Sequence, residues 1–292
     1  MRLYLDAEAL AQAGAAHSES YARAHPFPHA VLDDVLPEEA LDLALEAFPD
    51  ADTNVWKEYE NYYEVKLEAQ GEERLGDDLS LLLYQFNSAP FLRFLEELTG
   101  IKGLLPDPYF TGGGLHQVVR GGKLGIHADF SRHGQLPLHR RLNVLLYLNR
   151  DWREEYGGDL ELWDADRTRC CRKIAPVYNR MVVFNVTDWS FHGHPDPLTC
   201  PDGMTRKSIA LYYFTVDRPE GETMEDKNAT LFFPRPGESV PKGVQPGREG
   251  RHTGLKQDRF ERPVGSTRAR RIATRLIPPI LLDAFRSMRN RR

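Results

Sequence analysis

Cysteine is scarce in this chain: 292 residues hold three, Cys170, Cys171 and Cys200, and no two stand in a CxxC pair. Two adjacent thiols and one distant thiol supply neither a disulfide framework nor the paired spacing of a structural zinc site. A reducing, cytoplasmic setting is the expectation. Long apolar runs are also missing, since none reaches the roughly 18 residues that a membrane span requires. The opening MRLYLDAEAL is acidic where a secretory signal would be basic and then apolar. Neither an integral membrane span nor a cleaved leader is therefore expected. A basic excess is lacking too: 38 Lys and Arg face 43 Asp and Glu, for a net charge of −5. That balance argues against a protein built to neutralise nucleic-acid phosphates.

What is present is enough apolar material for a core, 41% of residues, arranged in two textures. Up to about residue 105 the spacing predicts helical support: helices over 7–24, 38–47 and 78–98, and a strand over 30–35. Acids dominate there, in pairs such as Asp33-Asp34 and Glu72-Glu73. From about 106 to 218, short β-prone runs at 115–119, 123–127, 142–148, 159–163, 180–186 and 208–216 are mostly separated by Gly, Pro, Asn or Asp clusters. Such a pattern predicts an antiparallel sandwich or barrel. Residues 1–232 thus read as one domain. Residues 233–266, rich in Pro and Gly, read as an extended linker. Residues 267–292 read as a basic amphipathic segment broken at Pro278-Pro279. That last segment suits either an anionic surface or, the favoured expectation, packing back on the acidic N-terminal region.

The most informative residues are Ile126-His127-Ala128-Asp129-Phe130. Side chains alternate along a strand, so His127 and Asp129 share a side and can hold adjacent positions on one metal ion. A second imidazole would complete a 2-His-1-carboxylate triad with open coordination positions. His192 and His194, two residues apart after an apolar strand, both qualify on spacing. Arg206 and Ser208 then share a face of the next strand, where a guanidinium fork beside a hydroxyl would suit a carboxylate. In 141–149, Asn143, Leu145 and Tyr147 share one face, and a buried Tyr147 hydroxyl would need a partner.

This order of HxD, distal His and following Arg resembles the iron(II)- and 2-oxoglutarate-dependent dioxygenases. The likeness is to their prolyl-hydroxylase branch. It extends through Leu142-Asn143-Val144, Gly157-Gly158-Asp159-Leu160, Asn179-Arg180 and Tyr213-Phe214. The resemblance implies a mainly β, α+β fold: a double-stranded β-helix, or jelly-roll, core on N-terminal supporting helices. It implies iron(II) held by His127, Asp129 and His192, with His194 left in the following loop. It also implies a 2-oxoglutarate site that uses Arg206 and Tyr147, with Ser208 and Asn143 as further cosubstrate contacts. O2 would be the second cosubstrate and ascorbate an optional reductant. Where the branch often carries a tyrosine toward the cosubstrate, this chain has Gln117, whose amide could stand in. His116, His133 and His139 are expected in loop or surface roles.

The implied activity is hydroxylation of a C–H bond in an amino acid, a peptidyl residue such as proline, or a specialised metabolite, with release of succinate and CO2. Small molecules or peptides are thus the expected partners, and the sequence leaves the oligomeric state open. Related halogenases carry a small residue at the carboxylate position, so Asp129 disfavours that chemistry. A silent jelly-roll binding module would be expected to have lost a ligand residue, and a zinc hydrolase to carry an HExxH helix; neither expectation fits.

Overall fold

A computed structural model of the chain describes residues 3–219, 229–244, 246 and 255–260. The N-terminal part runs α1 (Ala7–Ala22), β1 (His29–Asp33), α2 (Glu38–Glu46), β2 (Lys57–Glu60), β3 (Glu64–Ala69), α3 (Glu72–Phe86), α4 (Ala89–Thr99) and β4 (Leu105–Pro106). The single helix expected over 78–98 is two. Ser88 adopts an extended N-cap conformation and Pro90 occupies the first turn of α4, where its missing N–H costs no helical hydrogen bond.

The core follows as β5 (Gly114–Val118), β6 (Lys123–Ala128), β7 (His139–Tyr147), β8 (Leu160–Trp163), β9 (Cys170–Ile174), β10 (Arg180–Asn185), β11 (His192–His194) and β12 (Arg206–Thr215). These eight form two four-stranded antiparallel layers, β5-β12-β7-β10 and β6-β11-β8-β9. Successive strands alternate between the layers in jelly-roll order except at β8 and β9, which form a hairpin within one layer. The strand β3 pairs with β5 in one layer and β6 in the other, so it joins the two on one side. β1 adds to the free edge of β10.

Alternation in β7 shows why the helices lie where they do. Leu142, Val144 and Leu146 fall in one buried cluster with Leu79, Leu82, Phe91 and Phe94 of α3 and α4. Tyr147 faces the other way, into a cluster with Leu160, Leu162, Val182 and Phe184 between the layers. Burying each such side chain contributes about 1.5–3 kcal/mol, and a one-residue slip of β7 would exchange the two faces.

Two strands follow the core. β13 (Leu231–Phe232) pairs with β6, placing Phe232 opposite His127. β14 (Leu255–Asp258) pairs with β2, so part of the stretch expected as extended linker is strand. Residues through Arg259 form one compact unit; the basic amphipathic segment 267–292 lies outside the described residues. No helix among the described residues is long and apolar enough to cross a membrane.

Candidate metal centre and cosubstrate pocket

β6 and β11 pair with His192 directly opposite His127. Their ring centroids lie 4.2 Å apart. Asp129, just past the end of β6, brings its carboxylate to 3.7 Å from His127 Nε2 and 3.5 Å from His192 Nε2. The ligand atoms of all three lie within 4.8 Å of one another, and all three residues are buried. A backbone carbonyl can only accept. His127 Nδ1, 2.8 Å from Gly125 O, and His192 Nδ1, 2.9 Å from Ser190 O, are therefore the protonated nitrogens. Both Nε2 lone pairs are left to converge on the carboxylate, the tautomer and orientation that metal-ligating histidines use. Two imidazoles and one carboxylate fit iron(II).

His194 differs in that respect. It is the third residue of β11 rather than a loop residue, because the strand continues pairing with β6 at Leu124. Gly193 permits this, since a Cβ there would come within 2.5 Å of Gly125 O. His194 is buried and lines the same cavity, but its Nδ1 has no hydrogen-bond partner among the described residues. No backbone carbonyl among the described residues holds its Nδ1 as Gly125 and Ser190 hold those of His127 and His192.

Asp129 is fixed from behind. Asn143 Nδ2 donates to its Oδ2 at 2.6 Å, and Arg140 lies 3.3 Å from the same oxygen. The Arg140 guanidinium also donates to Asn143 Oδ1 and lies 4.2 Å from the centroid of the Phe130 ring and 3.4 Å from that of Tyr212, two rings set edge to face. Burial would raise the Asp129 pKa, but Arg140, the two histidines and the Asn143 amide together hold it well below the usual carboxylate range. The Asn143 amide, expected on a cosubstrate, is thus engaged by Asp129 and Arg140. Arg140 was not singled out from the sequence. The available signal was an arginine at the head of an otherwise apolar strand, where a buried charge demands a partner.

The cavity in front of these residues has a volume of about 790 Å³. Arg206 enters it from β12, with Nε donating to Gly158 O at 2.8 Å and NH2 to the Tyr147 hydroxyl at 3.3 Å. Gly158 must lack a side chain, because a Cβ would lie 3.0 Å from Arg206 Cδ and 2.6 Å from Leu198. Arg206 is 5% exposed and makes no ion pair with any carboxylate among the described residues. A buried guanidinium in that state suits an anionic ligand.

Strand register assembles the rest of the wall. Ser208 sits between Tyr147 on β7 and His116 on β5, and His116 is opposite Glu68 on β3. Gln117, offered by the sequence as a cosubstrate donor, is on the wrong face. Its neighbour His116 lines the cavity, while the Gln117 amide donates to Thr205 Oγ1 at 2.8 Å. His116 is correspondingly a pocket residue, its Nε2 3.2 Å from Gly112 O. The expectation of a loop or surface role is corrected by the phase of β5. His133 is likewise buried, 3.0 Å from Asp107 Oδ1.

These histidines give the metal-free protein a pH signature. Burial pushes His127 down to about 3 and His116 to about 4, and lowers His192 and His194 as well. The unfolded chain titrates its histidines near pH 6.5, so below that value it takes up protons that the native state refuses. Stability is therefore lost as pH falls from about 6.5 to 4, by about 1.4 kcal/mol per pH unit for each neutral imidazole. Asp129, with its pKa lowered, contributes stability above its unfolded value near 4 and loses it only below that. The urea midpoint of metal-free protein should accordingly drop between pH 7 and pH 5. Equal midpoints would mean that the native imidazoles titrate as the unfolded ones do.

Comparison with known proteins gives three findings. Residues 113–214 match the family model described as 2OG-Fe(II) oxygenase superfamily. Mouse (Mus musculus) prolyl 3-hydroxylase OGFOD1 is 30% identical over 79 residues, a match spanning 26% of this chain and 14% of that relative. Among solved structures, a prolyl-4-hydroxylase from Pseudomonas putida aligns at 18% identity and a TM-score of 0.46, covering 69% of this chain and 98% of the other. A prolyl 4-hydroxylase from Phytophthora capsici aligns at 20% identity and a TM-score of 0.49, covering 74% and 67%.

Proposed function

From a chain whose residues 113–214 match the 2OG-Fe(II) oxygenase superfamily model, we propose a hydroxylase that couples decarboxylation of 2-oxoglutarate to oxidation of a substrate C–H bond. The observation that carries this reading is the buried His127, Asp129 and His192 cluster beside an Arg206 that has no carboxylate partner among the described residues. The three cluster residues would hold iron(II). Arg206 and the Tyr147 hydroxyl would bind the far carboxylate of 2-oxoglutarate, with Ser208 and His116 alongside. When bound, the iron supplies O2 activation and oxidation of the C–H bond. The protein's own share is positional. Gly125 and Ser190 carbonyls orient the imidazoles, Arg140 and Asn143 orient the carboxylate, and the apolar cluster between the layers limits water behind the cosubstrate.

Hydroxylation is favoured over halogenation because Asp129 supplies the carboxylate that a halide site would lack. A prolyl or other amino-acid side chain is the substrate class suggested by the partial match to the mouse enzyme. A cytoplasmic enzyme fits the three free thiols. Anaerobically iron-loaded protein, given 2-oxoglutarate and air, should release succinate and yield a product heavier by one oxygen atom. Protein that binds both iron(II) and 2-oxoglutarate yet releases no succinate with any substrate tried would favour a non-catalytic binding module instead.

A further inference from the structure

The cavity holds a second charged wall that the chemistry above does not use. β3 presents Glu64, Lys66 and Glu68 to it, while Leu67 and Ala69, of opposite phase, are buried in the core beneath the helices. Lys66 Nζ lies 3.7 Å from Glu64 Oε2 and 3.8 Å from Glu68 Oε2. Lys57 and His116 stand 3.9 and 4.0 Å from the Glu68 carboxylate. All of these separations exceed hydrogen-bonding distance. Neither the Lys66 ammonium nor the Glu68 carboxylate makes a hydrogen bond with any described residue, although Glu68 is only 4% exposed. Burial alone would lower the Lys66 pKa, but Glu64 and Glu68 outweigh it, so the ammonium stays charged. Largely buried ions at such spacing are poorly compensated by one another, and apart from Glu64 Oε1, which accepts from Asn61 Nδ2 at 3.1 Å, they keep their donors and acceptors available to a third party.

The charges say what that third party carries. In the proposed cosubstrate mode, Arg206 takes one 2-oxoglutarate carboxylate and the metal takes the other, which leaves Lys66 as a spare cation in the same cavity. A lone anion on Lys66 would face two carboxylates, and a lone cation on Glu64 or Glu68 would face Lys66. An interior peptide residue has no charge to offer and would bury the row further without pairing it. A ligand with opposite charges on adjacent atoms matches the alternation. We infer that Glu64, Lys66 and Glu68 bind the zwitterionic head of a free α-amino acid, its carboxylate on Lys66 and its ammonium on the flanking carboxylates, with the side chain directed to the metal centre. This rests on the reading of the cavity as a 2-oxoglutarate site and narrows its substrate class.

The test is saturation-transfer NMR on protein loaded with zinc(II) and 2-oxoglutarate, using the proteinogenic L-amino acids and their N-acetyl methylamides as probes. At least one free amino acid should bind while its capped form does not. Lys66→Gln and, separately, Glu64→Gln should each weaken that binding by roughly tenfold or more, while melting near the parent temperature and still binding 2-oxoglutarate. Binding of 2-oxoglutarate with no free amino acid bound overturns the inference alone. So does a capped form that binds as tightly as the free one, or an unchanged affinity in either folded variant. Failure to bind 2-oxoglutarate itself removes the proposed function and the inference with it.

Discussion

Asp129→Ala is expected to abolish tight iron(II) binding, and His127→Ala and His192→Ala to do the same, whereas His194→Ala should leave most of it. The distinction between the two histidines of β11 is one of support rather than distance along the chain. His192 has its Nδ1 proton on Ser190 O, which fixes its Nε2 lone pair toward Asp129. His194 Nδ1 is buried without a partner among the described residues, so none of them holds its ring in a ligating tautomer. Anaerobic calorimetric titration with iron(II) reads the result directly. Loss of binding in His194→Ala with retention in His192→Ala would reverse the assignment. Arg140 provides a graded comparison. Residues that orient metal ligands typically contribute about 10–100-fold in metal affinity. Arg140→Lys, which keeps the charge but loses the planar fork against Phe130 and Tyr212, should therefore weaken iron(II) binding without abolishing it.

Six of the eight core strands were legible in the sequence because each is apolar on at least one face and most are bounded by turn residues; β9 and the three-residue β11 were not among the expected runs. The HxD triplet was legible because strand period alone places His127 and Asp129 together. β3 was not anticipated. Its alternation is regular, with Val65, Leu67 and Ala69 against Glu64, Lys66 and Glu68, but a row of charges ordinarily marks a solvent face. Here that face looks into a cavity, which only the pairing of β3 with both layers reveals. Gln117 and His116 show a second limit. Both are polar neighbours on one strand, and which of them enters the pocket depends on the phase of β5 against β12. That phase is set by Ser208 lying opposite His116. Arg140 shows a third: its role depends on two aromatic rings and an amide drawn from β7, β12 and the residue after Asp129.

Arg206→Ala should raise the dissociation constant of 2-oxoglutarate by two to three orders of magnitude. The guanidinium is 5% exposed, and its protein contacts are a backbone carbonyl, a phenol hydroxyl and the Tyr147 ring at 4.9 Å. A ligand carboxylate would thus be its one carboxylate partner at ion-pair distance among the described residues, Asp159 acting only from farther off. Removing one member of a buried ion pair costs roughly 3–5 kcal/mol, since the other is left desolvated and unpaired, and each 1.4 kcal/mol corresponds to about tenfold in affinity. Tyr147→Phe deletes only one hydrogen bond to the same group, so its cost should be nearer tenfold. Both variants should retain iron(II) binding, because neither side chain touches His127, Asp129 or His192. Equilibrium binding of 2-oxoglutarate to the metal-loaded variants measures both effects. Arg206→Ala binding 2-oxoglutarate as the parent does would move the anchor elsewhere in the cavity, and Lys66, a partly buried cation facing it, would be the first residue to replace.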